Sequence, residues 1–334
     1  MIVCKTPFRV SLFGGGTDFP EFYKKYGGAV IAGSINKYCY VTLRELPKFH
    51  NHKYEVHYSK IEKVKNINKI DHPVIKACYN IHKVKPYINL IYDADMPAKS
   101  GLGTSSSFTV SIIKSIYKYQ KKKINKQELL KKSIYLERGY LKESVGCQDQ
   151  TLAVYGGFNF VSFDKKKIKV KKIKIPDKSL KKLENNFFLI YTDNSRYASK
   201  IERKKILKIE QKKQSYMQIK EMTLKALNIL EKGKNIDLIG HLLRDYWEIK
   251  KKLSNEVTHK KIDEIYKKGL KAGALGGKIL GAGGGGFMLF YCPKKNHKKF
   301  KEKLKNYYMT KFTFTNNSSR IIYASEKNNI GLSK

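Results

Sequence analysis

PAKSGLGTSSSF, residues Pro97 to Phe108, is the stretch from which the rest of the chain is read. It follows an apolar, strand-like run at 87–95 and leads into helical spacing at Phe108, Ile112, Ile113, Ile116 and Tyr117. Gly101 and Gly103 carry no Cβ, so the backbone there can turn tightly and approach a ligand closely. Thr104, Ser105, Ser106 and Ser107 fall where a helix begins, beside free amide N–H groups and the positive end of the peptide dipoles. Two readings follow: a phosphate site, or a Gly/Ser turn that caps a helix with no ligand. No Gly-Lys-Ser/Thr closes the stretch, so it is not the P-loop of ATPases, and it lacks the spacing of a dinucleotide turn.

Working outward, two more glycine blocks frame it. The first is the triple Gly14, Gly15 and Gly16, which ends an alternating, strand-like run and is bracketed by Arg9 and Asp18. That bracket is either a surface salt pair of little worth or part of a site. The second runs through Gly281, Gly283, Gly284, Gly285 and Gly286 into the apolar FMLFY. So many glycines make either a flexible connector or a backbone surface pressed against something. The strand-like flanks favour the second.

Further strands are predicted at 38–44 and 54–58, and a helix from the loop to about residue 119. A second helix, 126–141, carries Glu137, and Asp149 falls in a turn-like setting before a new helical start. Spacing alone does not bring these two carboxylates together. A strand pair is expected at 158–163 and 168–175. The polar, Lys-rich residues 171–186 then mark a boundary between domains 1–185 and 186–334. The second half reads as a strand, FFLIYTD, then helices at 199–232, 236–253 and 260–272. The FMLFY strand, a helix at 296–307 and a terminal strand at 320–324 are expected to complete an α+β second domain.

With 69 Lys and Arg against 28 Asp and Glu, the formal charge is +41, which invites a nucleic-acid reading. The basic residues are nearly all Lys and spread along the chain, with no zinc-finger or RNA-binding signature, so they read as a solvated surface whose field attracts small anions. No nucleic-acid or membrane partner is expected. The five cysteines are far apart with no CxxC pair, which fits a reducing cytoplasm, and no signal peptide is read at the start.

TPFRVSLFGGGTD, PAKSGLGTSSS and KILGAGGGGF, in this order, resemble the three motifs of the GHMP kinases (galactokinase, homoserine kinase, mevalonate kinase, phosphomevalonate kinase). The resemblance runs from Lys5 to about Tyr291. Within the family, the first two motifs resemble most the bacterial branch that phosphorylates the anomeric hydroxyl of a heptose 7-phosphate. The resemblance implies a first domain like domain 2 of ribosomal protein S5 and a ferredoxin-like second domain. ATP, Mg²⁺ and a phosphosugar acceptor would meet between them. A homodimer is left open.

By motif position, the resemblance implies that Lys99, Ser100, Gly101, Leu102, Gly103, Thr104, Ser105, Ser106 and Ser107 wrap the nucleotide phosphates. Lys99 stands where glycine is common and either reaches a phosphate or faces solvent. Ser105 and Glu137 would hold Mg²⁺, Asp149 would receive the proton of the attacking hydroxyl, and Arg9 would stabilise developing charge. Asp18 with Gly14, Gly15 and Gly16, and Gly283, Gly284 and Gly285 from the other domain, would surround the acceptor. Galactokinases carry Glu-His where this chain has Gly15 and Gly16, which argues against galactose. Arg196 is the expected partner of the acceptor's own phosphate.

Overall fold

Alternation of apolar and polar residues at the start of the chain produces two long strands, and the first unit is built around them. The computed structural model describes residues 1–192 and 198–325. Strand β1 (Ile2–Phe13) passes through the triple glycine and helix α1 (Pro20–Tyr26) into β2 (Gly28–Glu45). There follow β3 (Tyr54–His57), β4 (Ile61–Val64), α2 (Pro73–Ile81), β5 (Ile88–Ala94), α3 (Thr104–Tyr119) and α4 (Lys126–Ile134). A π-helical turn (Tyr135–Tyr140), α5 (Gln148–Tyr155), β6 (Phe158–Phe163), β7 (Ile168–Lys172) and α6 (Asp177–Asn186) complete this half. Strand β2 pairs with β1 along one edge, and its other edge is long enough for two more neighbours: residues 28–33 pair with β6 and residues 39–45 with β5. Val110, Ile113 and Ile116 of α3 pack in one core with Val41, Leu43, Val56 and Leu90 of the sheet. Each such buried side chain contributes roughly 1.5–3 kcal/mol.

The second unit runs β8 (Phe187–Tyr191), α7 (Ala198–Leu207), α8 (Lys213–Lys232), α9 (Leu238–Lys251), α10 (Lys260–Lys271), β9 (Gly276–Ile279), β10 (Phe287–Tyr291), α11 (His297–Lys303) and β11 (Met309–Thr310). Its sheet has the order β11-β8-β10-β9, antiparallel throughout. The first strand of the unit thus lies between its last and its third, which is the ferredoxin-like arrangement. The apolar run FMLFY is explained by burial on both faces. Phe287, Leu289 and Tyr291 enter a core shared with β1, α8 and α9, while Met288 and Phe290 enter one with α10 and α11. The shared core includes Phe8, Val10 and Leu12 of β1, Tyr216 of α8 and Tyr246 of α9, so the two units are packed as one body.

Several expectations change. The terminal strand, β12 (Arg320–Ala324), does not complete the second sheet but pairs antiparallel with β1 on the edge of the first. Its residue pattern carries no mark of which sheet it joins. Residues 171–186 are not merely a polar boundary: Leu180 and Leu183 give α6 one apolar face, and Leu183 is buried. The preceding strand stops at Lys172, short of Pro176. The helical region 199–232 is broken by turns between α7 and α8. The helix bearing Glu137 ends in the wide π turn, a local geometry often found at functional positions.

Candidate active site

The loop between β5 and α3 is held from both sides by backbone. Gly103, with φ 74°, is the N-cap of α3, and no side chain caps the amides of the first turn. Gly101 has φ 79°, and a Cβ there would lie 2.7 Å from the Leu280 carbonyl oxygen. The loop after β9 crosses at this point: Phe287 N–H donates to Ser100 O at 2.9 Å, and a Cβ on Gly286 would lie 2.5 Å from that oxygen. The third glycine block is therefore a pressed surface, not a connector.

Arg9, on β1, ties the loop to α5. Its Nε and Nη2 donate to the two Asp149 carboxylate oxygens at 2.7 and 2.6 Å, and Nη1 donates to Gly101 O at 2.5 Å. Arg9 is 4% exposed, whereas the Asp149 side chain keeps 24% of its surface open. A buried bidentate pair fixes the plane of the carboxylate. Asp18 is also buried and accepts from Gly16 N–H at 2.8 Å and Gln148 N–H at 3.1 Å. Burial pushes its carboxyl above the usual range, opposed by those bonds.

Glu137 is fully buried and accepts from Ser106 Oγ at 2.9 Å and from Gln150 Nε2, all on Oε2. Burial, aided by the Glu143 carboxylate, pushes the Glu137 carboxyl up to about 7. Its Oε1 has no hydrogen-bond partner, and neither do the buried Ser11 Oγ, Ser100 Oγ and Gln148 Oε1 around the same site. Native interiors rarely leave such atoms unpaired unless a water, an ion or a ligand uses them. Among the described residues no trio of His, Cys, Asp and Glu forms a metal cluster. Magnesium bound through phosphates needs only one or two protein oxygens, so the unpaired Glu137 Oε1 and the exposed Ser105 on the same crevice fit that ion.

Two crevices meet at the Arg9–Asp149 pair. One is walled by Lys99, Gly101, Gly103, Thr104, Ser105, Ser106, Glu137, Gly283 and Gly285. The other is walled by Ser11, Gly15, Gly16, Asp18, Gln148, Lys205, Lys250 and Lys278. Arg9, Val145, Asp149, Glu202 and Gly281 border both.

The sequence expectations divide accordingly. Arg9, Asp149, Asp18, Gly15 and Gly16 converge on the second crevice, and most of the loop lines the first. Lys99, exposed at its rim with φ 58°, adopts the left-handed backbone that accounts for glycine being common there. Gly14 is not at the crevice: φ is 90° and a Cβ would strike Ala29 O. Leu102 is buried in the shared core, and Ser107 is turned inward, its hydroxyl on Pro7 O at 3.0 Å. Glu137 is paired with Ser106 while Ser105 faces outward. Gly283 and Gly285 line the loop-side crevice and not the Asp18 side, because their segment crosses the loop, and Gly284 N–H is taken by Val257 O. Arg196 lies outside the described residues.

Sequence reasoning missed Glu202, Lys205, Lys250 and Lys278. All three lysines are buried, with exposures of 4%, 5% and 2%. Lys205 donates to Ala282 O, Lys250 to Ile279 O and Gly281 O at 2.7 and 2.8 Å, and Lys278 to Leu12 O at 2.8 Å. Burial raises the Glu202 carboxyl and lowers the Lys205 ammonium, and their attraction opposes both shifts. In a chain this rich in lysine, three among so many carry no signal. Only Lys278, directly before the third glycine block, had a position that could have drawn notice.

Comparison with known proteins places these features in a family. Residues 65–157 match the N-terminal domain model of the GHMP kinases and residues 223–309 the C-terminal one. The chain is 32% identical over 329 residues to the D-glycero-alpha-D-manno-heptose 7-phosphate kinase of Campylobacter jejuni, covering 93% of this chain and 96% of that one. It is 24% identical to a galactokinase of Thermotoga neapolitana over 92% and 94%. Among solved structures, a D-glycero-D-manno-heptose 1-phosphate kinase from Bacteroides thetaiotaomicron superposes with a TM-score of 0.80 at 24% identity, covering 98% of this chain and all of that one. The mevalonate kinase of Methanococcus jannaschii gives a TM-score of 0.71 at 22% identity, over 94% and 98%.

Proposed function

The chain belongs to the GHMP kinases and is a sugar kinase, and from that premise we propose that it transfers the γ-phosphate of ATP to the anomeric hydroxyl of D-glycero-D-manno-heptose 7-phosphate, giving the 1,7-bisphosphate for nucleotide-activated heptose synthesis. The observation that carries this reading is the Arg9–Asp149 pair at the meeting point of two crevices, one suited to phosphates and the other to a polyol. The similarity to the Campylobacter enzyme supports the heptose.

Phosphoryl transfer asks for alignment and charge neutralisation more than for covalent help. The amides of the first turn of α3 and the left-handed loop at Gly101 and Gly103 cradle the triphosphate. Asp18, fixed by two backbone amides, takes sugar hydroxyls and sets the ring. Asp149 accepts the proton of the attacking hydroxyl at its open edge, and Arg9 holds that carboxylate in position. Magnesium, held by Glu137 and Ser105, would neutralise charge on the phosphates.

The Glu137 site predicts a pH dependence. Below about 7 its carboxyl is mostly protonated and a poor cation ligand, and above that it is ionised. Half-activation is expected to need about tenfold more Mg²⁺ at pH 6 than at pH 8. Glu137→Gln should flatten that difference; an equal slope in the variant would assign the pH effect to the nucleotide instead. The acceptor is tested by mass spectrometry of incubations with Mg-ATP and a panel of heptoses and hexoses, with and without a distal phosphate. A gain of one phosphoryl group confined to heptose 7-phosphate is the predicted outcome. Preference for an unphosphorylated sugar would overturn it.

A further inference from the structure

We propose that Lys250 and Lys278 form the subsite that binds the acceptor's own phosphate, an assignment that rests on the phosphosugar reading above. Lys250 reaches the second crevice from α9 and Lys278 from β9, so two elements of the second unit deliver ammonium groups to one wall. Neither has a carboxylate within 4 Å among the described residues; their partners are the backbone carbonyls already described and, for Lys278, the Tyr246 ring, whose centroid is 4.5 Å from Nζ. Carbonyl capping alone does not account for them, since burying an ammonium costs several kcal/mol and a neutral amide could make similar bonds. Burial depresses both ammonium groups; Lys278, Lys205 and Arg9 add to this at Lys250, with Glu202 opposing, and Arg9 and Lys205 add to it at Lys278. A dianion would reverse that penalty, and two positive charges match its two negative ones.

Two further observations point to a ligand on this wall. Ser11, 4% exposed, lines the same crevice with its Oγ unpartnered. Lys250 and Lys278 border the Asp18 crevice and not the loop-side one, so the anion they fit is not the nucleotide's phosphate chain. Glu202 offsets the charge of Lys205 first and that of Lys250 only weakly, and it does not act on Lys278.

The test is isothermal titration of the whole protein with D-glycero-D-manno-heptose 7-phosphate and with unphosphorylated heptose, a non-hydrolysable ATP analogue being present throughout. The wild type is expected to prefer the phosphosugar by about a hundredfold, and Lys250→Met or Lys278→Met to cut that preference by about tenfold. Affinity for the analogue reports whether each variant is folded. Equal weakening of both sugars would show that the lysines only support the fold or act on the transferred group, and would overturn the proposal. The wild type decides even if a variant does not fold. Inorganic phosphate should compete with the phosphosugar, and the absence of both competition and preference would refute the subsite. Product analysis separates the two levels: preference for the phosphosugar without transfer to its anomeric oxygen keeps the subsite and removes the proposed reaction.

Discussion

Asp149→Asn is expected to lower kcat by about a thousandfold while leaving nucleotide affinity within about twofold. The amide is nearly isosteric, but it cannot take up a proton as the carboxylate does. It also turns an N–H₂ toward one of the two Arg9 nitrogens, so one of the bonds at 2.6 and 2.7 Å is replaced by a meeting of donors. Asp149 bonds to the loop only through Arg9, which keeps its own bond to Gly101 O, and it does not cap the first turn of α3, which is why binding of ATP should survive. Steady-state kinetics with saturating phosphosugar, paired with equilibrium binding of the ATP analogue, separates the two quantities. Retention of more than about a tenth of wild-type kcat would remove Asp149 from proton transfer.

Gly101→Ala should reduce kcat/KM for ATP by about a hundredfold. Two penalties coincide there: a left-handed φ of 79° and a collision 2.7 Å from Leu280 O. Relief requires parting the loop from the third glycine block, which would also move the carbonyl that Arg9 Nη1 uses. Gly27→Ala is the control. Its φ of 65° and ψ of 146° carry at least as large a backbone cost, but the nearest atom, at 3.2 Å, is the side-chain Lys220 Nζ. That variant should lose about 1–3 kcal/mol of stability and no catalytic efficiency. Equal kinetic damage in both would mean that backbone strain, not contact between the two glycine segments, is what matters.

The glycines explain why so much of the site was legible in the sequence. Gly101, Gly103, Gly281 and Gly286 have φ between 64° and 86°, and three of them meet backbone of another glycine segment or its neighbour. Such positions restrict the residue type, so they stand out in a single chain. Arg9 and Asp149 were legible for a different reason, since each lies within a motif of fixed order. The charged groups of the second unit were not. Glu202, Lys205 and Lys250 lie on helices most of whose other described charges face solvent, and only the tertiary placement of those helices brings these three to the crevice. The terminal strand was misplaced because pairing to β1 depends on an edge left open by residues three hundred positions away, as in the pairing of Ile2 with Ala324. The pairing of Ser106 with Glu137, while Ser105 faces the crevice, depends on the helical phase of α3, and a one-residue change in where that helix starts reverses it.

Phosphorus NMR of the product made from heptose 7-phosphate and Mg-ATP decides whether the anomeric oxygen receives the phosphate. A second sugar-phosphate signal coupled to the anomeric proton is expected, absent with Asp149→Asn. A new phosphate on any other carbon, or release of inorganic phosphate with the sugar unchanged, would contradict it.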